Sequence, residues 1–461
     1  MLLQLTGETV LKRTTSRCPV CRLPAPAEVV RVTTGKEAKI FLRKSCPEHG
    51  TSAVCIASDA RFYWLAQGDP QNACCGGTAC CASEEGQPGT LGRNAAGRGD
   101  GPFEKLATCL ALIEIVNTCN LACPTCFADS PIGASGPNLD AIPLADLQRR
   151  IDGVIARKGP IEILQLSGGE PTLHPEFFEL LAWTQKHPDI GYVLLNTNGV
   201  RIAVDEDFAK QLGETFVEKR FQLYLQFDGP QEAGHRELRG ADLRGIRDRT
   251  IRRCDAMGLP VTLAMTVTPQ NLPAVWESIE YGLQFDNVRG VAFQPMFLSG
   301  RSHGRMRDEG GLMKGPPGRL NTADVILAAV GQSGGKLRFE DFTPLPCGDP
   351  NCATIGYLLK TPGGIRSVSD FIDFSAMQGF LHDKINYSLG DLTQCGCENQ
   401  PLAEMMHAFE VKESDTFRLF IKPFMDAWTW DQDRIDRCCT HVIRPDGQLD
   451  SFCRYYSGFA S

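Results

Sequence analysis

The sequence predicts an α/β fold with a partial (β/α)6, TIM-like barrel at its centre, and two patterns support this prediction. Six short apolar runs typical of β-strands cover residues 110–116, 161–167, 191–196, 221–227, 260–267 and 290–297. Amphipathic, helix-like periods lie between them, near residues 143–157, 175–186, 205–216, 243–257 and 273–284. Strands that alternate with helices build parallel βα units, and six units make a partial barrel. The functional residues of such a barrel lie where its strands end.

Changes in composition divide the chain into four predicted regions. A small metal-binding β domain takes residues 1–72, and a Cys- and Gly-rich linker follows at 73–108. The barrel takes residues 109–300, and a Cys-rich auxiliary-cluster region takes residues 301–461. The polar, Gly- and Pro-rich stretch at 299–322 has the composition of a lid over a site.

Charge and hydropathy exclude several classes of protein. The net charge of −8 provides no basic face for nucleic acid. No run of about 18 apolar residues occurs, so we expect no transmembrane helix, while contact with a membrane surface stays open. The first residues lack the basic and apolar parts of a signal peptide, so we expect a cytoplasmic protein. In that compartment the 20 cysteines indicate metal ligands rather than disulfides.

Two short ligand pairs frame the predicted strands of the N-terminal region. Cys18 and Cys21 form a C-x2-C pair, and Cys46 and His49 form a C-x2-H pair. Each pair turns tightly enough for both side chains to reach one ion, which predicts a tetrahedral site. The ion is zinc or a rubredoxin-type iron, because the ligands suit both metals. Cys55 is an alternative to His49 as the fourth ligand.

The linker also contains cysteines, and the sequence leaves their role open. Its two adjacent pairs are Cys74, Cys75, Cys80 and Cys81. Adjacent cysteines do not easily bind one small ion together, and the Gly-rich residues 86–101 that follow predict a flexible segment. Cys109 begins the first barrel strand and is either a ligand or a buried small residue.

Three cysteines follow the first predicted strand directly. Cys119, Cys123 and Cys126 have the spacing C-x3-C-x2-C. Thiolates on one short loop can bind three irons of a [4Fe–4S] cluster, which leaves the fourth iron open for chemistry. A zinc site would need a fourth ligand nearby, and the sequence supplies none there. A structural metal knuckle is the alternative interpretation.

The turns after the other predicted strands carry glycines and polar residues. Gly168, Gly169 and Glu170 follow the second strand, where two glycines expose the backbone beside a carboxylate. The later strand ends contribute Asn196, Asn198, Gln226, Asp228, Thr266 and Gln294. Each turn alone is common in proteins, but the whole series at one end of a barrel predicts a binding site.

The C-terminal region carries seven cysteines in three groups that are distant in sequence. They are Cys347, Cys352, Cys395, Cys397, Cys438, Cys439 and Cys453. Such groups in a reducing compartment predict one or two auxiliary iron–sulfur clusters, against the alternative of scattered buried thiols. The aromatic residues and methionines between positions 405 and 430 predict either core packing or an apolar substrate channel.

Together these motifs resemble one branch of the radical S-adenosylmethionine (SAM) superfamily over nearly the full chain. The resemblance rests on C-N-L-A-C-P-T-C-F at 119–127, on P-C-G-D-P-N-C at 346–352 and on C-C-T-H at 438–441. The branch contains archaeal tetraether lipid synthases and methanopterin-pathway radical SAM methylases. The linker departs from the pattern, because paired cysteines replace the C-P-x-x-C-G-x-C segment of archaeal members.

The resemblance implies a radical SAM enzyme, a transferase that forms C–C bonds. In the family the open iron binds SAM, the cluster reduces it, and a 5′-deoxyadenosyl radical abstracts hydrogen from the substrate. By analogy Cys119, Cys123 and Cys126 are the catalytic residues. Phe127 is expected near the adenine, and the polar strand-end residues are expected to contact SAM. A ferredoxin, a flavodoxin or a reductase would donate the electron.

The branch also implies alkyl coupling or methylation at an unactivated carbon of an apolar or lipid-like substrate. A radical SAM enzyme that modifies a pterin or a peptide is the alternative, although no peptide-recognition winged-helix domain is evident. A non-catalytic iron–sulfur electron carrier is the alternative of another class. The series of expected SAM-contact motifs argues against the carrier.

Overall fold

In a computed structural model, the described residues are 6–65, 108–133, 136–216, 220–304, 316, 318–345, 347–371 and 413–458. Within them the chain forms two sheets, a small antiparallel one and a large mixed one. No helix in this part of the chain is long and apolar enough to cross a membrane.

The N-terminal sheet has four antiparallel strands in chain order. They are β1 (Thr6–Arg17), β2 (Pro24–Thr34), β3 (Glu37–Cys46) and β4 (Gly50–Ala57). Alternate residues of these strands point to one side and form a small apolar core that includes Val29, Ile40 and Leu42. The β1–β2 and β3–β4 turns lie at one end of the sheet, which brings the two predicted ligand pairs together.

Six parallel strands in chain order form the centre of the large sheet. They are β5 (Leu110–Val116), β6 (Ile161–Gly168), β7 (Ile190–Thr197), β8 (Phe221–Gln226), β9 (Val261–Val267) and β10 (Val288–Pro295). Each agrees with a predicted strand to within two residues at either end. The predicted α/β class with a parallel sheet is therefore confirmed.

Helices connect these strands, as their periodicity predicts. They are α1 (Leu144–Lys158), α2 (Phe177–Lys186), α3 (Val200–Val204), α4 (Glu206–Thr215), α5 (His235–Arg239), α6 (Arg244–Ala256) and α7 (Val275–Leu283). In α1 the buried stripe consists of Leu147, Ile151 and Val154. The main apolar core lies between such stripes and one face of the sheet, and the other face is left to line a cavity.

The C-terminal region adds strands to both edges of the same sheet, which the sequence did not predict. β14 (Thr416–Ile421) pairs in parallel with β10, and β15 (Thr440–Ile443) pairs in parallel with β5. The other strands of this region are β11 (Thr343–Pro344), β12 (Thr354–Thr361), β13 (Gly364–Ser367) and β16 (Leu449–Ser451). Its helices are α8 (Thr322–Gln332), α9 (Gln432–Asp436) and α10 (Phe452–Tyr456).

One buried lysine attaches the N-terminal sheet to the C-terminal region. Lys44 lies on β3 with 1% of its surface exposed. Its ammonium donates hydrogen bonds to the carbonyls of Ala427 and Trp428 at 2.8 and 2.6 Å. Burial lowers the pKa of Lys44 to about 7. A buried amine is tolerated only where such hydrogen bonds offset its desolvation.

Replacement of Lys44 should loosen this attachment. In Lys44→Met the two carbonyls lose their donor, and each buried acceptor left alone costs about 1–3 kcal/mol. We therefore expect faster hydrogen exchange at residues 427–430, measured by mass spectrometry. The control is Lys39→Met, because Lys39 is exposed on the same strand. Equal exchange in both variants would contradict the attachment.

Candidate active site

Cys119, Cys123 and Cys126 lie on the loop that leaves the carboxyl end of β5. The loop folds on itself, because the Cys126 amide donates a hydrogen bond to the Cys123 carbonyl at 3.3 Å. The Cys119 amide donates to the Pro131 carbonyl at 2.9 Å, which holds the returning chain against the loop. The three thiols are thus presented at the edge of the sheet where the parallel strands end.

The three thiols are not gathered as tightly as the ligands of a single ion. Among the described residues, their three sulfur atoms do not all lie within 4.8 Å of one another. Cysteines that bind different irons of a cluster stand further apart than cysteines that share one ion. Burial, reinforced by Glu170, raises the pKa of Cys119 to about 12. A bound metal would supply the positive charge that makes this thiol a thiolate.

Two glycines let the end of β6 approach the cysteine loop. A Cβ atom at Gly168 would overlap the Val116 carbonyl oxygen, and one at Gly169 would overlap the Thr118 carbonyl oxygen. Gly168 also has a φ of +119°, which side chains rarely allow. The approach lets the Gly169 amide donate to the Val116 carbonyl at 2.7 Å. The Gly-Gly step therefore joins the first two strand ends.

Glu170 connects the ends of β6 and β7 from a buried position. Its carboxylate accepts hydrogen bonds from the hydroxyls of Thr172 and Thr197, both at 2.7 Å, and from the Asn198 amide at 2.7 Å. Burial raises the pKa of Glu170. Both carboxylate oxygens of Glu170 accept hydrogen bonds from turns of the protein. The expected contact between Glu170 and SAM therefore stays a prediction.

The predicted amides belong to a hydrogen-bonded network beside the cysteine loop. The Asn198 side-chain amide donates to the Asn120 side-chain oxygen at 2.7 Å and lies 3.7 Å from the Cys119 sulfur. The Asn196 side-chain amide donates to the Ser167 hydroxyl at 3.0 Å. Asn198 therefore contacts the cysteine loop, whereas Asn196 links neighbouring strand ends.

Two buried arginines that the sequence analysis missed hold the next strand ends. Arg239, on α5, donates to the Asp228 carboxylate at 2.6 and 2.8 Å and to the Thr266 hydroxyl at 3.0 Å. Arg247, on α6, donates to the Gln226 side-chain oxygen at 2.6 Å. Only their positions in the folded chain reveal these roles, since neither arginine lies in a motif.

Phe127 and Gln294 complete the set of predicted site residues. The ring centroid of Phe127 lies 5.8 Å from that of Phe452 and 4.9 Å from that of Tyr456. The Gln294 side-chain amide donates to the Tyr224 hydroxyl at 2.8 Å. Phe127 thus packs in an aromatic cluster, and Gln294 belongs to the polar inner face of the sheet.

Arg301 fastens the cysteine loop from the β10 side. Its guanidinium donates to the Cys123 carbonyl at 3.1 Å and to the Asp129 carboxylate at 2.9 Å, and it also bonds the Ser130 carbonyl. Its backbone amide donates to the Cys126 carbonyl at 3.0 Å. Gly300 and Arg301 form a Gly-Arg motif in the sequence, but only the tertiary contacts show that Arg301 binds the cysteine loop.

The strand ends open into one cavity of about 760 Å³. Thr125, Phe127 and Gly169 line its end at the cysteine loop, and the inner faces of β5 to β10 line its length. Polar side chains recur along these strands at Gln165, Asn196, Gln222, Tyr224, Thr262 and Gln294. The cavity therefore offers hydrogen bonds as well as apolar surface to a ligand.

The N-terminal ligands Cys18, Cys21, Cys46 and His49 come together as predicted. The Cys18 sulfur lies 3.8 Å from His49 Nδ1, and the Cys21 and Cys46 sulfurs lie 3.8 Å apart. Ligands about 2.3 Å from a tetrahedral ion stand roughly 3.8 Å apart, so the four residues fit one ion. Cys55 lies outside this group, which contradicts its alternative assignment.

A second group of cysteines differs from the predicted ligand set. The sulfurs of Cys109, Cys347 and Cys439 lie within 4.8 Å of one another. Cys109 and Cys347 are at bonding distance, but their Cα atoms lie 7.4 Å apart. A disulfide does not close over that separation without movement of the backbone. Cys109, whose role the sequence left open, therefore belongs to a group of potential ligands.

The remaining C-terminal cysteines are neighbours of this group. Burial and then the thiols of Cys352, Cys439 and Cys453 raise the pKa of Cys438. Buried thiols that raise one another's pKa ionise poorly unless a bound metal compensates the negative charge of the thiolates. Other predicted or noted cysteines lie outside the described residues, namely Cys395, Cys397, Cys74, Cys75, Cys80 and Cys81.

Two family models match the chain, one over the cysteine loop and one over the N-terminal sheet. Residues 113–282 match the radical SAM superfamily, and residues 10–58 match the HMPTM N-terminal zinc ribbon domain. The first match includes the cysteine loop and the Gly-Gly-Glu turn. The chain therefore contains a radical SAM domain and is a radical SAM enzyme.

The similar proteins specify the branch. The chain is 26% identical to the 7,8-dihydro-6-hydroxymethylpterin dimethyltransferase of Methanocaldococcus jannaschii, over 96% of this chain and 93% of that protein. This similarity confirms the predicted resemblance to methanopterin-pathway radical SAM methylases. The AdoMet-dependent heme synthase of Methanosarcina barkeri is 27% identical over 42% of this chain and 52% of its own length.

Among solved structures, Streptococcus suis SuiB bound to S-adenosylmethionine aligns over 47% of this chain and 44% of that chain. The identity is 16% and the TM-score is 0.34. A similarity at that level supports no further statement about this chain.

Loss of the Arg301 side chain should weaken the cluster site. Arg301→Ala removes the donors that hold the loop carbonyls, and loss of a group that orients metal ligands typically costs about 10- to 100-fold in metal affinity or activity. We expect less iron and a weaker electron paramagnetic resonance signal after reduction. Arg149→Ala, at an exposed position on α1, is the control. An unchanged signal in Arg301→Ala would contradict the role of Arg301.

The metal-free N-terminal site should contain one reactive thiol. A hydrogen bond with His49 lowers the pKa of Cys46 to about 6, and burial raises the pKa of Cys55 to about 11. At pH 7.5 Cys46 is then mostly thiolate and Cys55 mostly thiol, so iodoacetamide should label Cys46 much faster after chelation. Labelling of Cys46 should slow as the pH falls through about 6, and added zinc should protect it. Mass spectrometry of the labelled peptides measures both rates, and equal rates would contradict the prediction.

Proposed function

We propose that this chain methylates an unactivated carbon of a polar aromatic heterocycle of the pterin class, and thereby forms a C–C bond. The observation that carries the proposal is the cysteine loop at the mouth of a polar-lined cavity. The similarity to a pterin dimethyltransferase supports the choice of substrate. Amide and hydroxyl groups on the inner face of the sheet suit the ring nitrogens and carbonyl of a pterin, which need both donors and acceptors.

In this proposal Cys119, Cys123 and Cys126 hold the catalytic [4Fe–4S] cluster. When bound, the cluster supplies the electron that cleaves SAM. A ferredoxin, a flavodoxin or a reductase in the cytoplasm provides that electron. The protein's own contribution is to orient the reactants, because the cofactor carries the difficult chemistry.

The strand-end residues are proposed to hold SAM beside the cluster. Gly168, Gly169 and Glu170 line the cavity next to the cysteine loop. The cavity is also lined by Phe127 at the cysteine loop and, on the neighbouring strands, by Asn196, Asn198, Gln226, Thr266 and Gln294. Asp228 does not line the cavity, whereas its partner Arg239 does. We propose that Arg239 makes the contact that the sequence assigned to Asp228.

We also propose that the large sheet is a partial barrel. The inner faces of all six parallel strands line one cavity, which requires the sheet to curve around it. Lys422, after β14, donates a hydrogen bond at 2.9 Å to Thr440 of β15, across the gap between the two sides of the sheet. The proposed catalytic unit thus extends beyond the boundary at residue 300 and includes these C-terminal strands.

The other cysteines are proposed to hold further metals. Cys18, Cys21, Cys46 and His49 would bind zinc, in line with the matched zinc ribbon model. Cys109, Cys347 and Cys439, whose sulfurs lie within 4.8 Å of one another and must separate to bind different irons, would bind one auxiliary iron–sulfur cluster. Cys352, Cys438 and Cys453 would bind a second auxiliary cluster.

An apolar or lipid-like substrate is the second candidate, and one feature favours it. Phe297, Phe424 and Phe452 line the cavity together, and the rings of Phe424 and Phe452 stack at 4.2 Å. An aromatic wall of this kind could cover a hydrocarbon chain. The polar residues along the rest of the cavity favour the heterocycle over the lipid.

SAM cleavage tests the proposed chemistry. The anaerobically reconstituted enzyme should form 5′-deoxyadenosine with dithionite, and Cys126→Ala should reduce this to background because one iron loses its ligand. Cys254→Ala, which removes a buried thiol of α6 outside the site, is the control. Absence of product from the wild type would overturn the proposal. An iron content of only about four per chain would contradict the auxiliary clusters.

In this proposal a second SAM molecule donates the methyl group and leaves as S-adenosylhomocysteine, so transfer from methyl-labelled SAM distinguishes the two substrates. A reduced pterin and an isoprenoid lipid are incubated separately with the enzyme, SAM and reductant, and mass spectrometry follows the labelled methyl group. The proposal expects label in the pterin and none in the lipid. The reverse result would favour the lipid candidate.

A further inference from the structure

We propose that Tyr224 selects the substrate by donating a hydrogen bond to a carbonyl oxygen on the substrate's ring. This inference rests on the proposed function and assigns one group of the heterocycle to one side chain of the cavity. A hydrocarbon chain has no atom that could accept such a bond. Tyr224 would therefore distinguish the heterocycle from the lipid-like candidate.

Tyr224 lies deeper in the cavity than the strand-end residues that are proposed to hold SAM. It is the fourth residue of β8, and its side chain lines the cavity. Gln226, one of the proposed SAM contacts, ends the same strand two residues later. Two residues of a strand span roughly 7 Å. A ligand placed next to SAM, further from the carboxyl ends of the strands, would meet the Tyr224 side chain.

The hydroxyl of Tyr224 already accepts one hydrogen bond and still has its proton to donate. The Gln294 side-chain amide donates to the hydroxyl oxygen at 2.8 Å. A phenol both accepts and donates hydrogen bonds, and no described residue accepts the proton of this hydroxyl. A ligand that matches Tyr224 must therefore supply an acceptor. The side-chain oxygen of Gln294 is left for the contact with SAM proposed above.

Burial keeps the Tyr224 hydroxyl in its protonated form. It raises the pKa of Tyr224, although the hydrogen bond from Gln294 acts in the opposite direction. The group is therefore a neutral donor at neutral pH rather than a phenolate. A buried donor without an acceptor destabilises a complex. An apolar ligand that displaced water from this hydroxyl would consequently bind less well than a ligand with a carbonyl.

Small side chains leave room for a flat ring in front of Tyr224 and Gln294. The hydrogen bond between these two residues joins β8 to β10 and crosses β9, which lies between them in the sheet. Ala264 of β9 is paired in register with Ala292 of β10. Both alanines line the cavity. The wall beside the Tyr224 hydroxyl is therefore low enough for a planar ring to approach.

A ring carbonyl suits this donor better than a ring nitrogen. Its oxygen projects beyond the outline of the ring and has two lone pairs, so it can reach a hydroxyl on the cavity wall. With the carbonyl at Tyr224, the rest of the ring extends toward the carboxyl ends of the strands. The carbon that reacts then lies on the part of the ring remote from the carbonyl and nearest to the cysteine loop.

Binding of two probes that differ in the ring carbonyl tests the contact without turnover. The reconstituted holoenzyme, with SAM and without reductant, is titrated calorimetrically with pterin and with 2-aminopteridine, which lacks the carbonyl. We expect Tyr224→Phe to raise the dissociation constant of pterin roughly tenfold, because one hydrogen bond in a buried site is lost. The dissociation constant of 2-aminopteridine should stay unchanged.

The control is Tyr281→Phe, which should bind both probes like the wild type. This substitution also removes a hydroxyl, one that donates to Asp248 at 2.7 Å and lies outside the cavity. SAM affinity should keep its wild-type value in Tyr224→Phe, which shows that the rest of the cavity is intact. A parallel loss of SAM affinity would overturn the assignment of Tyr224 to the substrate.

Two further results would overturn this inference and leave the proposed function standing. They are equal affinity for pterin in the wild type and in Tyr224→Phe, and an equal loss of affinity for both probes. Absence of pterin binding by the wild type would instead overturn the proposed pterin substrate together with the contact. The titrations therefore separate a failure of the contact from a failure of the proposed function.

Discussion

The candidate active site depends on the close approach of two chain segments, the one leaving β5 and the one leaving β6. Gly168 and Gly169 make the approach possible, since any side chain there would overlap the backbone oxygens of Val116 and Thr118. The Glu170 amide then donates to the Thr118 carbonyl at 3.0 Å. The carboxylate of Glu170 is left buried and holds the end of β7. The remaining strand ends are arranged around this contact between the ends of β5 and β6.

Arginines stabilise the rest of the site. Arg239 pairs with Asp228, and Arg301 holds the carbonyls of the cysteine loop. Burial raises the pKa of Cys123, and the guanidinium of Arg239 opposes this shift. Positive charge near a cluster ligand favours its thiolate form. The same side chain therefore orders a strand end and favours the thiolate form of Cys123.

The C-terminal region joins the candidate metal sites to the central sheet. Its strands β14 and β15 extend the two edges, and the hydrogen bond from Lys422 to Thr440 connects them. Lys44 binds the N-terminal sheet to the same region. Cys109, Cys347, Cys439 and Cys453 are part of the main apolar core of this sheet.

The sequence by itself determined the parallel α/β core and the cysteine loop. The periodicity of apolar residues predicts local secondary structure. The C-x3-C-x2-C spacing places three cysteines on one loop, whatever the rest of the chain does. The ligand pairs at Cys18 and Cys46 were predictable for the same reason.

Only the tertiary structure decided which distant residues meet. Cys109 and Cys347 are 238 residues apart in sequence, and nothing local to either indicates that they join Cys439. Arg239 and Arg301 likewise act on partners supplied by other strand ends. Such contacts follow from strand order and from which side chains the sheet turns inward. Spacing along the chain contains neither piece of information.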